Sequence, residues 1–205
     1  MAHSNHPPAA VLSRITHFRP KGVMIDFGSL TSNTFGLNSL IRITQKDRYL
    51  SYLPISHTME RWVGECIPFV SGCHVFYADS LKTFNQDMQR AKPTLFVSVP
   101  RLWTKFQEGV FAKLPPEKLE KLLKTPLVSY VVKRKLLKSL GLDCVRIAAS
   151  GSAPLPPDLM AWYRNLGLEL LEGYGMTENF NCKWKYHCSS FNWRKWYDVC
   201  ENIPL

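Results

Sequence analysis

Residues 91–103 read AKPTLFVSVPRLW. Pro93 stops any helix before it, since proline brings no N–H to the ladder and its ring clashes with the preceding turn. Thr94–Val99 then runs TLFVSV with no charge. An apolar run of this length, rich in β-branched and aromatic residues, fits a strand covered on both faces, as in a parallel sheet. Val99-Pro100-Arg101 closes the run and restores polarity.

The same alternation extends both ways. Upstream, RYLSYL (Arg48–Leu53) predicts a strand, Thr58–Val70 a helix and His74–Tyr77 another strand. Asp79 is a suitable N-cap, and Leu81, Phe84 and Met88 would share one face of the helix it starts. Downstream, Pro115-Pro116 opens a helix with Leu119, Leu122 and Leu123 on its inner side. Thr125-Pro126 starts the next as N-cap and first turn, and Gly141 ends it after Leu140. Val145–Ala149 predicts a strand. Leu159, Trp162, Tyr163 and Leu166 follow at helical spacing, Gly167 terminates that helix, and Leu168–Leu171 predicts a last strand. Strand–helix alternation with apolar strands predicts an α/β fold: a parallel sheet with flanking helices and right-handed crossovers.

Composition agrees. Of 205 residues, 45% are apolar and 20% charged, which is globular rather than disordered composition. Lys plus Arg number 26 and Asp plus Glu 16, a formal charge of +10. That balance favours anionic partners without choosing among nucleotides, nucleic acid and lipid surfaces. The longest apolar stretch, Cys66–Ala78, is interrupted by Pro68, Ser71 and His74 and falls short of the roughly 20 residues of a membrane span. MAHSNHPPAAVLSRITHF lacks a basic n-region, so no secretory signal is expected, and the six cysteines are expected to be reduced thiols in the cytoplasm. Cys182, Cys188 and Cys200 crowd the tail with Trp184, Trp193 and Trp196, but their spacing is wider than zinc ligands want. That tail has neither a helical nor a strand period and reads as irregular.

In open α/β sheets ligands sit beyond the carboxyl ends of the strands. The segments there are Pro54-Ile55-Ser56-His57, Val99-Pro100-Arg101, Ser150-Gly151-Ser152-Ala153-Pro154 and Gly173-Tyr174-Gly175-Met176-Thr177-Glu178. Each alone is an ordinary turn composition. Together they suit a magnesium-bound nucleotide: a tyrosine face for a base, a hydroxyl for a phosphate oxygen, and a carboxylate for Mg²⁺. Lys21 in RPKGVM is a candidate phosphate lysine, although Ser13–Phe18 before it holds no glycine to free a backbone cradle.

RPKGVM, SYLPISHTMERWVGE, PTLFVSVPRLW, AASGSAPLPP and LLEGYGMTENF occur in that order. Over Arg19–Phe180 the chain resembles the adenylate-forming superfamily, and most narrowly its long-chain fatty acid–CoA ligases. The resemblance implies that the chain is a piece of the large N-terminal domain of such an enzyme, flanked by unmatched residues 1–18 and 181–205. It implies activation of a fatty acid with Mg·ATP to an acyl-adenylate, then thioester formation with CoA. It assigns adenine stacking to Tyr174 and the adenine pocket to Gly151, Ser152, Ala153 and Pro154, with Glu172 and Gly173 beside it. Gly175 and Met176 belong to the same nucleotide turn. Thr177 would bond the α-phosphate, Glu178 would hold Mg²⁺, Lys21 would serve the phosphate loop, and His57 would sit near the reacting carboxylate. Arg101 recurs in the motif without an assigned role beyond pairing with a buried carboxylate.

The family's glycine-rich loop is missing before Lys21. No ribose aspartate, hinge or C-terminal catalytic lysine is recognisable after Phe180. The chain is therefore expected to be an internal fragment, inactive alone and prone to aggregate through uncovered apolar faces. Two other readings compete. One is a truncated product without activity. The other is a basic module, because Lys113–Lys138 holds eight Lys/Arg against Glu117 and Glu120; it would meet anionic membrane lipid or nucleic acid. No nucleic-acid motif accompanies that charge, so nucleic acid is not expected as a partner.

Overall fold

A computed structural model describes residues 9–13, 21–175, 177 and 183–185. Five strands run parallel: β3 (Arg48–Ser51), β4 (His74–Tyr77), β5 (Leu95–Ser98), β6 (Ile147–Ser150) and β7 (Leu170–Tyr174). Their spatial order is β4-β3-β5-β6-β7, and β8 (Lys183–Lys185) pairs antiparallel with β7. A separate antiparallel hairpin joins β1 (Ala9–Ser13) to β2 (Lys21–Ile25).

Strand alternation sorts the core into two layers. Leu50, Phe96, Ala148 and Leu170 face one way, against α3 (Phe84–Ala91), α4 (Pro100–Lys113) and α7 (Pro157–Asn165). This layer is aromatic: Trp103 is fully buried between Phe96 and Tyr163, with both rings edge-on at 5.2 and 5.0 Å. Tyr49 and Leu95 face the other way, against α1 (Phe27–Ile41), a π-helical segment Glu60–Cys66 and α2 (Ile67–Ser71). Helices α5 (Pro116–Lys124) and α6 (Pro126–Ser139) complete the crossover from β5 to β6. At the amino end of the sheet Asp47 accepts both prongs of Arg146 at 2.8 Å and the Thr94 hydroxyl at 2.7 Å.

Several local expectations change. The helix expected from Asp79 starts at Phe84, and Leu81 lies in a turn, 89% exposed. Ser80 and Thr83 hydroxyls bond each other, and the buried Asp87 carboxylate takes the Thr83 hydroxyl and the Asp79 N–H, so polar side chains hold the turn open before the helix begins. The Thr58–Val70 helix is π-wound through Glu60–Cys66, where the Ile67 N–H reaches back to the Trp62 carbonyl. Thr125 occupies the N-cap position of α6, but only its backbone carbonyl takes part, accepting from the Ser129 N–H at 2.7 Å. Gly141 does end α6: its φ of 71° is left-handed, and a Cβ there would lie 2.9 Å from the Met88 backbone. The tail, read as irregular, contributes β8.

Candidate active site

Because the strands are parallel, their carboxyl ends share one rim of the sheet. The segment after β3 is fixed from below. The Leu53 N–H and the Tyr49 hydroxyl both donate to Glu60 Oε2, at 3.2 and 3.1 Å. Glu60 is buried, and its Oε1 has no hydrogen-bond partner among the described residues. A methyl group at Gly64 would collide with this carboxylate, so the glycine makes room for it inside the π-helical turn. The Tyr52 hydroxyl donates to the Val97 carbonyl at 3.0 Å, and burial pushes it up to about 12 despite the opposing Ser98 hydroxyl. Pro54-Ile55-Ser56 then turns outward, closed by the His57 N–H on the Pro54 carbonyl at 2.8 Å.

His57 keeps an exposed side chain. Its Nδ1 accepts the Met59 N–H at 3.2 Å, which places the neutral ring's proton on Nε2. Surrounding protein lowers its proton affinity below the ordinary histidine value, and the Glu60 carboxylate opposes this only in part. His57 is thus poised as a neutral Nε2–H donor facing outward from the rim.

The loop after β6 is pinned at both ends. The Gly151 N–H donates to the Ser98 carbonyl at 3.0 Å, and the Leu155 N–H to Glu172 Oε1 at 2.9 Å. Between them Ser152, Ala153 and Pro154 are exposed, and Ser152 sits at φ 71°, a left-handed conformation that costs energy for a non-glycine residue. Gly151 lies against the Gly173 carbonyl, 3.5 Å from where a Cβ would stand. The Ser150 hydroxyl is fully buried beneath this loop without a hydrogen-bond partner among the described residues. After β7, Gly175 is exposed and Thr177 half-buried. The Thr58 hydroxyl donates to the Thr177 hydroxyl at 3.3 Å, across 119 residues of chain.

The structure therefore brings the His57 segment, the Gly151–Pro154 loop, the end of β7 and Thr177 to one place. Lys21 opens β2 at the far end of the β1–β2 hairpin, opposite Ser13. Met176, Glu178 and the side chains of Lys21 and Tyr174 lie outside the described residues, as do Cys182, Cys188 and Cys200. Arg101 is exposed on the first turn of α4, and no carboxylate among the described residues pairs with it. Thr58 and Glu60 were not anticipated as site residues. Both stand in the SHTMER segment, but nothing in the sequence says that Glu60 turns inward while His57 turns out.

A family model described as AMP-binding enzyme matches residues 16–192. The chain belongs to the AMP-binding enzyme family. The match takes in every site segment described above. Long chain acyl-CoA synthetase 5 of Arabidopsis thaliana is 30% identical over 187 residues, covering 78% of this chain and 28% of the plant protein. The human long-chain-fatty-acid–CoA ligase 6 is 28% identical over 189 residues, with 78% and 26% covered. Among solved structures, ATP-bound MatB from Rhodopseudomonas palustris superposes with a TM-score of 0.58 at 27% identity, over 82% of this chain and 29% of that one. The chain thus spans under a third of the length of these relatives. Its parallel sheet is the adenylate-forming fold that the sequence motifs imply.

Proposed function

We propose that this chain carries the nucleotide-binding face of an ATP-dependent acid–thiol ligase acting on long-chain fatty acids. The observation that supports this best is the Thr58–Thr177 hydrogen bond, which ties the histidine segment to the end of β7. Since Thr58 is the donor, the Thr177 hydroxyl keeps its own proton for an α-phosphate oxygen. Tyr174 stacks on adenine across from Gly151, Ser152, Ala153 and Pro154. Glu172 supports that pocket by holding Leu155. Gly173, Gly175 and Met176 shape the turn around the nucleotide, and Lys21 serves the phosphates.

Mg²⁺ suits the donor chemistry of Thr177-Glu178. It takes one or two carboxylates and leaves its other positions to water and phosphate oxygens. Among the described residues no cluster of three or more His, Cys, Asp or Glu forms a separate metal cage. The bound ion would neutralise phosphate charge. A fatty-acid carboxylate oxygen attacks the α-phosphorus and pyrophosphate leaves. CoA sulfur then attacks the acyl carbon and AMP leaves. The first step calls for positioning and charge neutralisation more than for a base, because the acid is already ionised. His57, with Nε2–H outward, is placed to donate to that carboxylate.

The direct test is equilibrium binding of ATP with and without Mg²⁺. Saturable, Mg²⁺-dependent binding is expected, weakened about tenfold by Tyr174→Ala, the worth of one aromatic stack. Unchanged affinity in Tyr174→Ala removes the tyrosine from the site. No fatty-acid-dependent ATP–pyrophosphate exchange is expected from this chain alone. A long-chain acid partitions into lipid, so a cytoplasmic position at a membrane surface suits this reading; among the described residues no helix is long and apolar enough to cross a membrane.

A further inference from the structure

Helix α6 has two opposed stripes. Ser129, Val132, Leu136, Leu137 and Leu140 recur at helical spacing on the inner side, and all are buried or half-buried. Leu137 and Leu140 pack on the aromatic core. Lys133 lies on the same side and donates to Asn165 Oδ1 of α7 at 3.3 Å, while Gln89 of α3 donates to the Ser139 carbonyl at 3.0 Å. The helix is therefore docked by one face onto a formed core, and its outer stripe has a fixed orientation.

That outer stripe is unusual in order. Leu127, Tyr130, Val131, Arg134, Lys135 and Lys138 follow at i, i+3, i+4, i+7, i+8 and i+11, and all six are exposed. Its first half is apolar, with Leu127 85%, Tyr130 67% and Val131 62% exposed. Its second half is entirely cationic, and α6 holds no acidic residue. On neighbouring α5 the exposed Lys118, Lys121 and Lys124 outnumber the exposed Glu117 and Glu120, leaving that helix net positive.

We infer that the outer face of α6 is a docking surface for an anionic lipid bilayer. Leucine, valine and the tyrosine ring enter the headgroup–acyl boundary, while Arg134, Lys135, Lys138 and the α5 lysines meet lipid phosphates. Apolar and basic side chains on one helix face are the chemistry of interfacial helices. A nucleic acid would engage the same cations but gives no use to a row of exposed aliphatic side chains. The surface lies on the crossover helices, apart from the Thr58–Thr177 rim, and requires no ligase activity. Its test reads lipid binding rather than turnover, so the two readings can fail separately.

The test is flotation of the full chain with vesicles of phosphatidylcholine alone or mixed with phosphatidylglycerol. Binding to the anionic vesicles only is expected, lost at about 1 M salt, where the Debye length shrinks to roughly 3 Å. Replacing Arg134, Lys135 and Lys138 by glutamine lowers affinity on the order of 100-fold, at about fivefold per cation. Leu127→Ser with Val131→Ser lowers it about tenfold or more. These side chains are exposed, so circular dichroism is expected to be unchanged. As a second readout, Leu127→Trp blue-shifts its emission on anionic vesicles. The inference is overturned if the chain does not float, if either set of substitutions leaves flotation intact, or if it shifts an oligonucleotide while ignoring lipid.

Discussion

His57 and Glu60 show how two residues three apart divide the labour of one turn. Glu60 is taken out of water to hold Leu53 and Tyr49, and the loop it anchors leaves His57 at the surface. The Met59 N–H on Nδ1 and the surrounding protein both favour a neutral ring. The histidine's proton affinity is therefore lower folded than unfolded. Between the two values the unfolded chain binds more protons, so stability rises with pH and declines as pH falls below about 6.5. NMR titration of the His57 ring is expected to give a midpoint below that value. Gly64→Ala, which drives a methyl into the Glu60 carboxylate, is expected to move the midpoint; a titration unaltered by Gly64→Ala would separate His57 from Glu60. The residue types in this turn were legible in SYLPISHTMER, because histidine and glutamate beyond a strand end are chemistry-bearing. Their opposite orientations were not, since burial of Glu60 depends on Tyr49 and Gly64 meeting it in three dimensions.

Elements were legible where their own residues carry the signal. TLFVSV became β5 because a doubly covered strand writes its burial into every residue, and HVFY became β4 on its β-branched and aromatic residues although most of that strand is exposed. Helix α1 escaped because FGSLTSNTFGLNSLI is rich in Ser, Thr, Asn and Gly, which are poor helix formers. It is held by the Asp26 cap on the Ser29 N–H and by burial of Leu30, Thr34 and Leu37. The brace at the amino end of the sheet was invisible for a different reason: Asp47 and Arg146 are 99 residues apart. Burial alone would raise the Asp47 carboxyl, but the Arg146 fork, the Thr44 N–H and the Thr94 hydroxyl hold it well below the usual carboxylate range. That stability is present above the ordinary aspartate value and is lost as pH falls through and below it. Arg146→Ala leaves a buried carboxylate without its cation and is expected to cost about 2–3 kcal/mol, the low end for a pair whose arginine is partly exposed. Urea unfolding at neutral pH measures this. In the variant the loss of stability between about pH 4 and pH 2 is expected to shrink, because the native carboxyl then titrates nearer its unfolded value.

At the scale of the molecule the sheet has one parallel edge that nothing pairs with among the described residues: β4, at the end of the order β4-β3-β5-β6-β7. Its sequence, HVFY, is short, uncharged and of high β-propensity, and Tyr77 is 74% exposed. Leu81 just beyond its carboxyl end is 89% exposed, so apolar side chains are uncovered there. An uncharged edge with unpaired N–H and C=O groups is a template for a second chain. Among the described residues no further strand and no charged side chain of β4 itself blunts this edge. Aggregation of the folded chain through β4 is therefore expected, and charge is the natural remedy, since lysine on an edge opposes strand addition. Tyr77→Lys replaces an exposed ring, so its effect on unfolding free energy is expected within about 0.5 kcal/mol. Static light scattering against concentration would show a later onset of association in Tyr77→Lys than in the wild type. Leu127→Lys, which alters another largely exposed residue, on α6 rather than on β4, serves as the control. If the two substitutions delay association equally, general surface charge rather than the β4 edge governs self-association.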